Sequence, residues 1–432
     1  MQRTLAEWLA WMEAHHPREI DLGLERIAAV AANLGLDLAG SRVVTVGGTN
    51  GKGSTVAFIE TILRAQGYSV GAYTSPHMLR YNERVRIDGE AVADAELCDA
   101  FAAIADGMRG ISLTYFEFGT LAALWLFRRA ALDVVVLEVG IGGRLDAVNL
   151  IDADVAVLAT IDLDHMDWLG PDRESIGREK AGIFRAGRPA ICSDPQPPQS
   201  VEAHAQQIGA HWYPAGAAFS YSVHGEHWRW SGAGLPRVAQ YEALPLPALP
   251  LPSAAGALAA LHSLPLAVSE QAIRQGLSAA RVVGRFQQVQ RRGVEFILDI
   301  AHNPQAARWL AQRLQELPAR PTFAVFAIMA DKDYGVVIDA VHTHVERWFI
   351  GDLPGNARAL SAAALENQLR SRHIEALVRT ATIAEACAQA EAAARAHGGR
   401  VLVFGSTFTV AAVLAQWQHE DSSQQEHSAD AG

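Results

Sequence analysis

The sequence predicts an α/β protein of two domains, each built on a mainly parallel sheet with helical crossovers. Three observations predict it. The chain has 432 residues, more than one ordinary domain of ~100–200 residues. Short apolar runs of strand length alternate with longer stretches of helical spacing, the pattern of βαβ crossovers. Half of the residues are hydrophobic and 19% are charged, which supplies apolar material for two full cores.

The elements follow in order. Residues 4–14 and 24–35 have helical apolar spacing and flank a turn-forming loop, HHPREIDLGLER. VVTV (43–46) reads as a strand, GGTNGKGS (47–54) as a loop and TVAFIETILRAQ (55–66) as a helix that stops at Gly67. GYSVGAYTS (67–75) is a second strand with a polar tip. The helix FGTLAALWLFRRA (118–130) precedes two buried strands, DVVVLEVG (133–140) and DVAVLATI (154–161). From about 205 to 243, aromatic residues alternate between glycine breaks, which predicts a small antiparallel excursion. LPLPALPLP (244–252) reads as an extended polyproline connector. Helices follow at 254–263 and from Ser269. A new domain opens around RVVGRF (281–286), with strands in EFILDIAHNP (295–304), TFAVFAIM (322–329), RWFIGD (347–352) and RVLVFGS (400–406). The expected division is therefore 1–280, 281–418, and a polar, disordered tail at 419–432.

Charge and cysteine usage narrow the function classes. A formal net charge of −11 argues against a nucleic-acid or membrane-surface binder. Anionic substrates must then be held by local devices. Cys98, Cys192 and Cys387 form no C-x-x-C pair, which suits a reducing compartment and gives no zinc framework. The N-terminus has no signal-peptide pattern, and no run approaches the ~20 apolar residues that span a bilayer. The cytoplasm is the expected location.

The strongest local signal is VVTVGGTNGKGST (43–55). A strand feeds a glycine-rich turn and a lysine stands where the next helix begins, so backbone N–H groups can cradle polyphosphate. Lys52 would reach the terminal phosphates. The spacing departs from the usual P-loop, with Val46 in the first glycine position and Gly53 between Lys52 and Ser54. Glu138 ends the strand DVVVLEVG, where an acid beside a phosphate loop suits Mg²⁺; pairing with a neighbouring arginine is the alternative. Ser75 and His165 stand at two further strand ends. Spacing alone leaves His165 a general hydrogen-bonding residue.

A series of motifs then spans nearly the whole chain: GGTNGKGST, YTSPHMLRYNERVRIDG, FEFGTLAALWLF, EVGIGGRLDAVN, LDHMDWLG, ESIGREKAGIF, DIAHNP, DKD and FGST, in that order. The series resembles the folylpolyglutamate synthase family, a branch of the Mur-ligase superfamily. DLGLERI, TYFEFGT and LDAVN are further similar to the bacterial bifunctional form that also binds dihydropteroate. The resemblance implies an N-terminal P-loop, Mur-ligase-like ATPase domain with a parallel sheet and a C-terminal Rossmann-like domain. Residue by residue, it implies Mg²⁺ ligands at Ser75, Glu138 and His165, with two metal sites. It puts Thr49, Asn50, Gly51, Lys52, Gly53 and Ser54 in the phosphate loop, and Arg285 and Asp299 on ATP. Lys180 matches a carbamylated lysine; an unmodified Lys180, paired with Glu174 or Glu179 on a surface helix, is the alternative. Asp21, Leu22, Gly23 and Leu24, with Thr114, Tyr115, Phe116 and Glu117 and with Leu145, Asp146 and Ala147, match the pterin site. Phe116 reads equally well as plain core. His302 and Ser406 match the glutamate side, and His302, with Lys52 and Lys180, is a candidate for the chemistry. Three positions depart from the family pattern: Ser253 stands where an ATP-contacting Asn is common, Ile300 where Gly is, and Val148 where Thr is.

The implied activity is an ATP-dependent, ADP-forming amide ligase of folate biosynthesis. It would join L-glutamate to dihydropteroate, and further glutamates to a reduced folate such as tetrahydrofolate, through an acyl phosphate. The expected partners are these small molecules alone, and the expected state is a monomer. A peptidoglycan-type Mur ligase carries a uridine-nucleotide domain before the P-loop, and 46 residues before Gly47 are too few for ~100. A monofunctional folylpolyglutamate synthase is the nearer alternative, and DLGLER with TYFEFGT argues against it. A non-catalytic nucleotide switch leaves DIAHNP and Lys180 without a purpose.

Overall fold

The computed structural model describes residues 3–18 and 20–429, with side chains up to Ser423. The chain divides into two compact units at Arg281/Val282.

In the first unit the strands are β1 (Arg42–Gly47), β2 (Val70–Tyr73), β3 (Val85–Ile87), β4 (Glu90–Ala91), β5 (Val134–Glu138), β6 (Val155–Leu158), β7 (Pro189–Cys192) and β8 (His211–Pro214). They form one sheet in the order β4-β3-β2-β5-β1-β6-β7-β8. From β2 to β8 all neighbours are parallel; β3 and β4 add an antiparallel edge. β1 and β5 read VVTV and VVVL and are buried throughout after their first residues, as strands covered on both faces must be. Helices Lys52–Gln66, Tyr115–Ala130 and Leu251–Ser263 carry many of the covering apolar side chains. A separate antiparallel sheet, β9 (Ser220–His224), β10 (His227–Ser231) and β11 (Gln240–Pro245), is the excursion expected from the aromatic alternation, and Trp228 and Trp230 of β10 are fully buried.

The second unit contains β12 (Gln287–Arg291), β13 (Val294–Leu298), β14 (Thr322–Phe326), β15 (Arg347–Asp352), β16 (Leu377–Thr382) and β17 (Arg400–Phe404), ordered β12-β13-β17-β14-β15-β16. Only β12 runs antiparallel to its neighbour. The core of this unit gathers Ile297, Leu310, Phe326, Ile338, Trp348, Leu365 and Phe404.

Three expectations need correction. The helix after the glycine loop begins at Lys52 rather than Thr55, because Gly51 takes the left-handed backbone (φ +87°) that lets the chain turn straight into it. LPLPALPLP is not one extended segment. Leu244 and Pro245 belong to β11, where Pro245 O accepts from Trp228 Nε1. Leu251 and Pro252 already form the first turn of a helix, where proline's missing N–H costs nothing. The polar end is not a disordered tail from residue 419: the last helix runs Thr407–Ala429. Trp417 packs edge-on against Phe296 at 4.8 Å, and Arg291 pairs with Glu420 and Asp421, each at 2.9 Å. These contacts anchor the first turn of the polar stretch, up to Asp421, where composition alone predicted disorder. Residues 430–432 of the expected tail lie outside the described residues.

Candidate active site

The loops at the C-terminal ends of β1, β5 and β6 build the first cluster. After β1 the backbone passes through Gly48 (φ +137°) and Gly51. A Cβ at Gly51 would stand 2.7 Å from Ser253 Oγ, so only glycine fits. Thr49 N donates to Thr160 O at 2.6 Å and Thr49 Oγ1 to Asp162 O at 3.0 Å, which ties this loop to the one after β6. Ser253 Oγ donates to Gly51 O at 3.2 Å. The residue that departs from the family pattern therefore braces the glycine-rich loop from a neighbouring helix.

Two lysines converge on one atom. Lys52 Nζ donates to Gly48 O at 3.1 Å, and the buried Lys180 Nζ donates to the same oxygen at 3.0 Å. Burial, and then the Lys52 charge, pull Lys180 down to about 7; Asp164 and Asp146 oppose the shift. The surface-pair alternative for Lys180 does not occur. Glu174 caps the backbone of Gln199 and Ser200, and Glu179 pairs with Arg144 at 3.0 Å.

Glu138, at the end of β5, is buried and accepts from Ser75 N at 3.2 Å. A side chain at position 53 would come within 3.7 Å of Glu138 Oε2, so this carboxylate lies over the start of helix Lys52–Gln66. His165 sits exposed in a left-handed backbone conformation just before the short helix Met166–Leu169. Among the described residues no group of three or more His, Cys, Asp and Glu side chains could hold a metal. Glu138 and Ser75, adjacent through the Ser75 N–H, are nevertheless residues of the kind that fit Mg²⁺, which takes few protein ligands and keeps water and phosphate oxygens.

The expected pterin residues form a second cluster. Thr114 caps helix Tyr115–Ala130, and Glu117 reaches back to Thr114 N at 2.8 Å. Arg26 bridges the other Glu117 oxygen at 3.1 Å and Asp21 at 2.9 Å. His16 joins from the far side, between Asp21 (3.3 Å) and Ser112 (3.1 Å). Asp21 and Glu117, 96 positions apart in the chain, are thus linked through one guanidinium. The Phe116 ring is half-buried and lies against Gly140, where a Cβ would come within 2.8 Å of it. Asp146 accepts from Gly140 N, Ile141 N and Val148 N at 2.9–3.1 Å. Burial raises its carboxyl to about 6 against those three hydrogen bonds. Asp146 thereby holds the 140–148 loop under Phe116, and buried Ala147 and half-buried Leu145 flank it. Leu22, Gly23 and Leu24 follow Asp21 directly. Tyr115 faces elsewhere, against Tyr81 and Arg84.

The second unit carries its own set at the C-terminal ends of β13 and β17. Asp299 is buried and accepts from Phe286 N and Ala301 N, both at 2.8 Å. Burial raises its pKa, and the Arg285 charge opposes the shift. His302 Nδ1 donates to Ile300 O at 2.8 Å, which sets the ring's orientation. Ser406 Oγ meets Thr409 Oγ1 at 2.7 Å and caps the last helix. Sequence reasoning missed Gly48, Arg26, His16 and Thr160. Only Arg26 had a legible signal, a cation five positions after Asp21 in DLGLER; the others act through backbone or by spatial approach.

Residues 46–207 match the Mur ligase middle domain, and residues 284–407 match the Mur ligase glutamate ligase domain. Over 411 residues the chain is 47% identical to the dihydrofolate synthase/folylpolyglutamate synthase of Escherichia coli K12, covering 95% of this chain and 94% of that protein. It superposes on E. coli FolC in complex with DHPP and ADP with a TM-score of 0.90 at 46% identity, covering 97% of this chain and 99% of that one. A bifunctional folylpolyglutamate synthase/dihydrofolate synthase with Mn, AMPPNP and L-glutamate bound gives a TM-score of 0.88 at 45% identity, covering 96% and 98%.

Proposed function

The chain belongs to the dihydrofolate synthase/folylpolyglutamate synthase family of Mur ligases, and we infer from its two clusters how it performs that family's reaction. It is an ADP-forming ligase. It adds L-glutamate to dihydropteroate, and further glutamates to reduced folate, with ATP and a divalent metal. The observation that carries the reading is the glycine loop with Lys52 at its helix start, beside buried Glu138 and the half-buried Ser75 whose N–H it accepts.

A carboxylate resists attack by an amine because its leaving group would be oxide. Transfer of the γ-phosphoryl group to it makes an acyl phosphate and ADP; the glutamate amine then attacks the carbonyl, and phosphate departs. The protein's part is positioning and charge neutralisation. In this reading the N–H groups of residues 50–54 hold the phosphates, Thr49 N being tied to Thr160 O, and Lys52 leaves Gly48 O for the γ-phosphoryl oxygens. Ser75 and Glu138, with His165, would hold Mg²⁺, which supplies charge neutralisation across the phosphates when bound. The Asp21–Arg26–Glu117 network and Phe116 above Gly140 hold and stack the pterin; Asp146 sets the loop beneath it. In the second unit Arg285 and Asp299 serve ATP, and His302 and Ser406 serve glutamate.

Lys180 is proposed to act as a carbamate. Its neutral amine attacks CO₂, an N–C bond forms and one N–H proton is released, which gives an anionic oxygen ligand suited to Mg²⁺. A buried amine with its pKa pulled to about 7 supports this. Lys180→Ala is expected to be nearly inactive and partly rescued by a short carboxylic acid; full activity of this variant would defeat the carbamate. We also propose a monomer in the cytoplasm, where three free cysteines stay reduced. Light scattering should give a mass near 46.5 kDa.

The deciding experiment is a coupled ADP-release assay with glutamate, comparing dihydropteroate with tetrahydrofolate as acceptor. Both should turn over. Turnover with tetrahydrofolate alone would favour the monofunctional alternative.

A further inference from the structure

Asp299 and Ser406 leave the C-terminal edge of the second unit's sheet. At the opposite edge, where β14, β15 and β17 begin, lies a cavity of about 600 Å³. Leu317, Pro321 and Val345 give it apolar wall; Arg320, Thr322, His344 and Arg400 give it polar wall, together with one carboxylate, Glu346. Strands of five residues separate the two edges, about 16 Å at the rise of an extended chain.

Arg400 is the unusual member. It is 3% exposed and opens β17. One terminal nitrogen donates to Pro318 O, while the buried Nε has no hydrogen-bond partner. Among the described residues no carboxylate forms an ion pair with it: Glu295, on the adjoining strand, pairs with Arg320 at 3.6 Å instead. Burial, joined by the Arg320 charge, lowers the Arg400 pKa, and Glu295 offsets this only in part. A buried cation with no anion costs free energy that an apolar side chain of similar size would not. The neighbouring carbonyl needs one donor, not a whole guanidinium. What the arrangement lacks is an oxyanion from outside the chain.

We propose that this cavity binds a small organic oxyanion, a carboxylate or a phosphate monoester with a compact apolar body, whose oxygens pair with Arg400 and Arg320. A guanidinium presents a planar fork suited to two such oxygens, and Thr322 borders the same space. Leu317, Pro321 and Val345 face the apolar part.

The test uses the full chain saturated with Mg-ADP, so that the phosphate loop is filled. Inorganic phosphate and benzoate are titrated separately by calorimetry, and the probe that binds identifies the ligand class. Arg400→Met and, independently, the half-exposed Arg320→Ala are expected to weaken that binding at least ~tenfold, as loss of a charge-assisted contact does. Without ligand, Arg400→Met should unfold at or above the wild-type temperature, because it removes an uncompensated buried charge. No saturable binding of either probe, or equal binding by both variants, overturns the proposal. So does an Arg400→Met protein that unfolds several degrees below wild type, since the guanidinium would then be a structural tie to Pro318.

Discussion

Lys52 and Lys180 hold the same carbonyl, Gly48 O, and their charges resist each other. That contact sets two predictions about single residues. Lys52→Ala removes the one fixed cation at the helix start. ADP formation should fall at least ~100-fold with either acceptor, the scale of losing one charge-stabilising donor; near-normal turnover would refute the phosphate-loop role. For Lys180 the pH dependence has a definite sign. Its folded-state pKa is about 7, against 10.5 ordinarily. Between those values the unfolded chain binds one more proton, so this residue's contribution to stability rises with pH across that window. Below about 7 both states are protonated, and the cost of the buried ammonium is present in full. In CO₂-free buffer, Lys180→Met should therefore be more stable than wild type at pH 6, with the difference shrinking by pH 9. Urea midpoints at the two pH values measure it, and a difference that stays constant would show an amine that does not titrate there.

At the scale of elements, Asp146 shows what a single side chain does for a loop. Its carboxylate takes three backbone N–H groups of residues 140–148, and Asp146→Ala leaves all three without that acceptor. The expected cost is about 1–3 kcal/mol, that of one buried N–H left unpaired, since the Val148 bond is buried and the other two are partly so. Dihydropteroate ligation should suffer more than tetrahydrofolate ligation, because the loop lies beneath Phe116; equal loss of both would count against distinct acceptor modes. Such a role was only half legible. LDAVN marked Asp146 through family resemblance, whereas its partners at 140 and 141 are backbone groups with no sequence signature. Strands buried on both faces, such as VVVL in β5, announced themselves as unbroken apolar runs. The polar strands QQVQR (β12) and LVRTAT (β16) did not, because half-exposed edge strands lack such a run. Composition misjudged the last helix for a similar reason: Arg291 and Trp417 fix it, and contacts between residues more than a hundred positions apart leave no local pattern.

For the whole molecule, the partition of sheets decides what can stand alone. Among the described residues no strand is shared: β1–β11 pair only within the first unit and β12–β17 only within the second. Each unit has its own buried core, one around Tyr73, Phe101, Phe118 and Leu137, the other around Ile297, Phe326, Trp348 and Phe404. The chain passes from one to the other once, at Arg281/Val282. A segment that completes its own sheet and core has what independent folding requires. Fragments 1–281 and 282–432, expressed separately, are therefore each expected to show native-like circular dichroism and a single cooperative unfolding transition. Neither should form an amide bond, because the phosphate loop lies in the first and His302 and Ser406 lie in the second. A fragment that stays unfolded on its own would show that its core is incomplete without the rest of the chain, and amide synthesis by fragment 1–281 would remove the second unit's assigned part in the reaction.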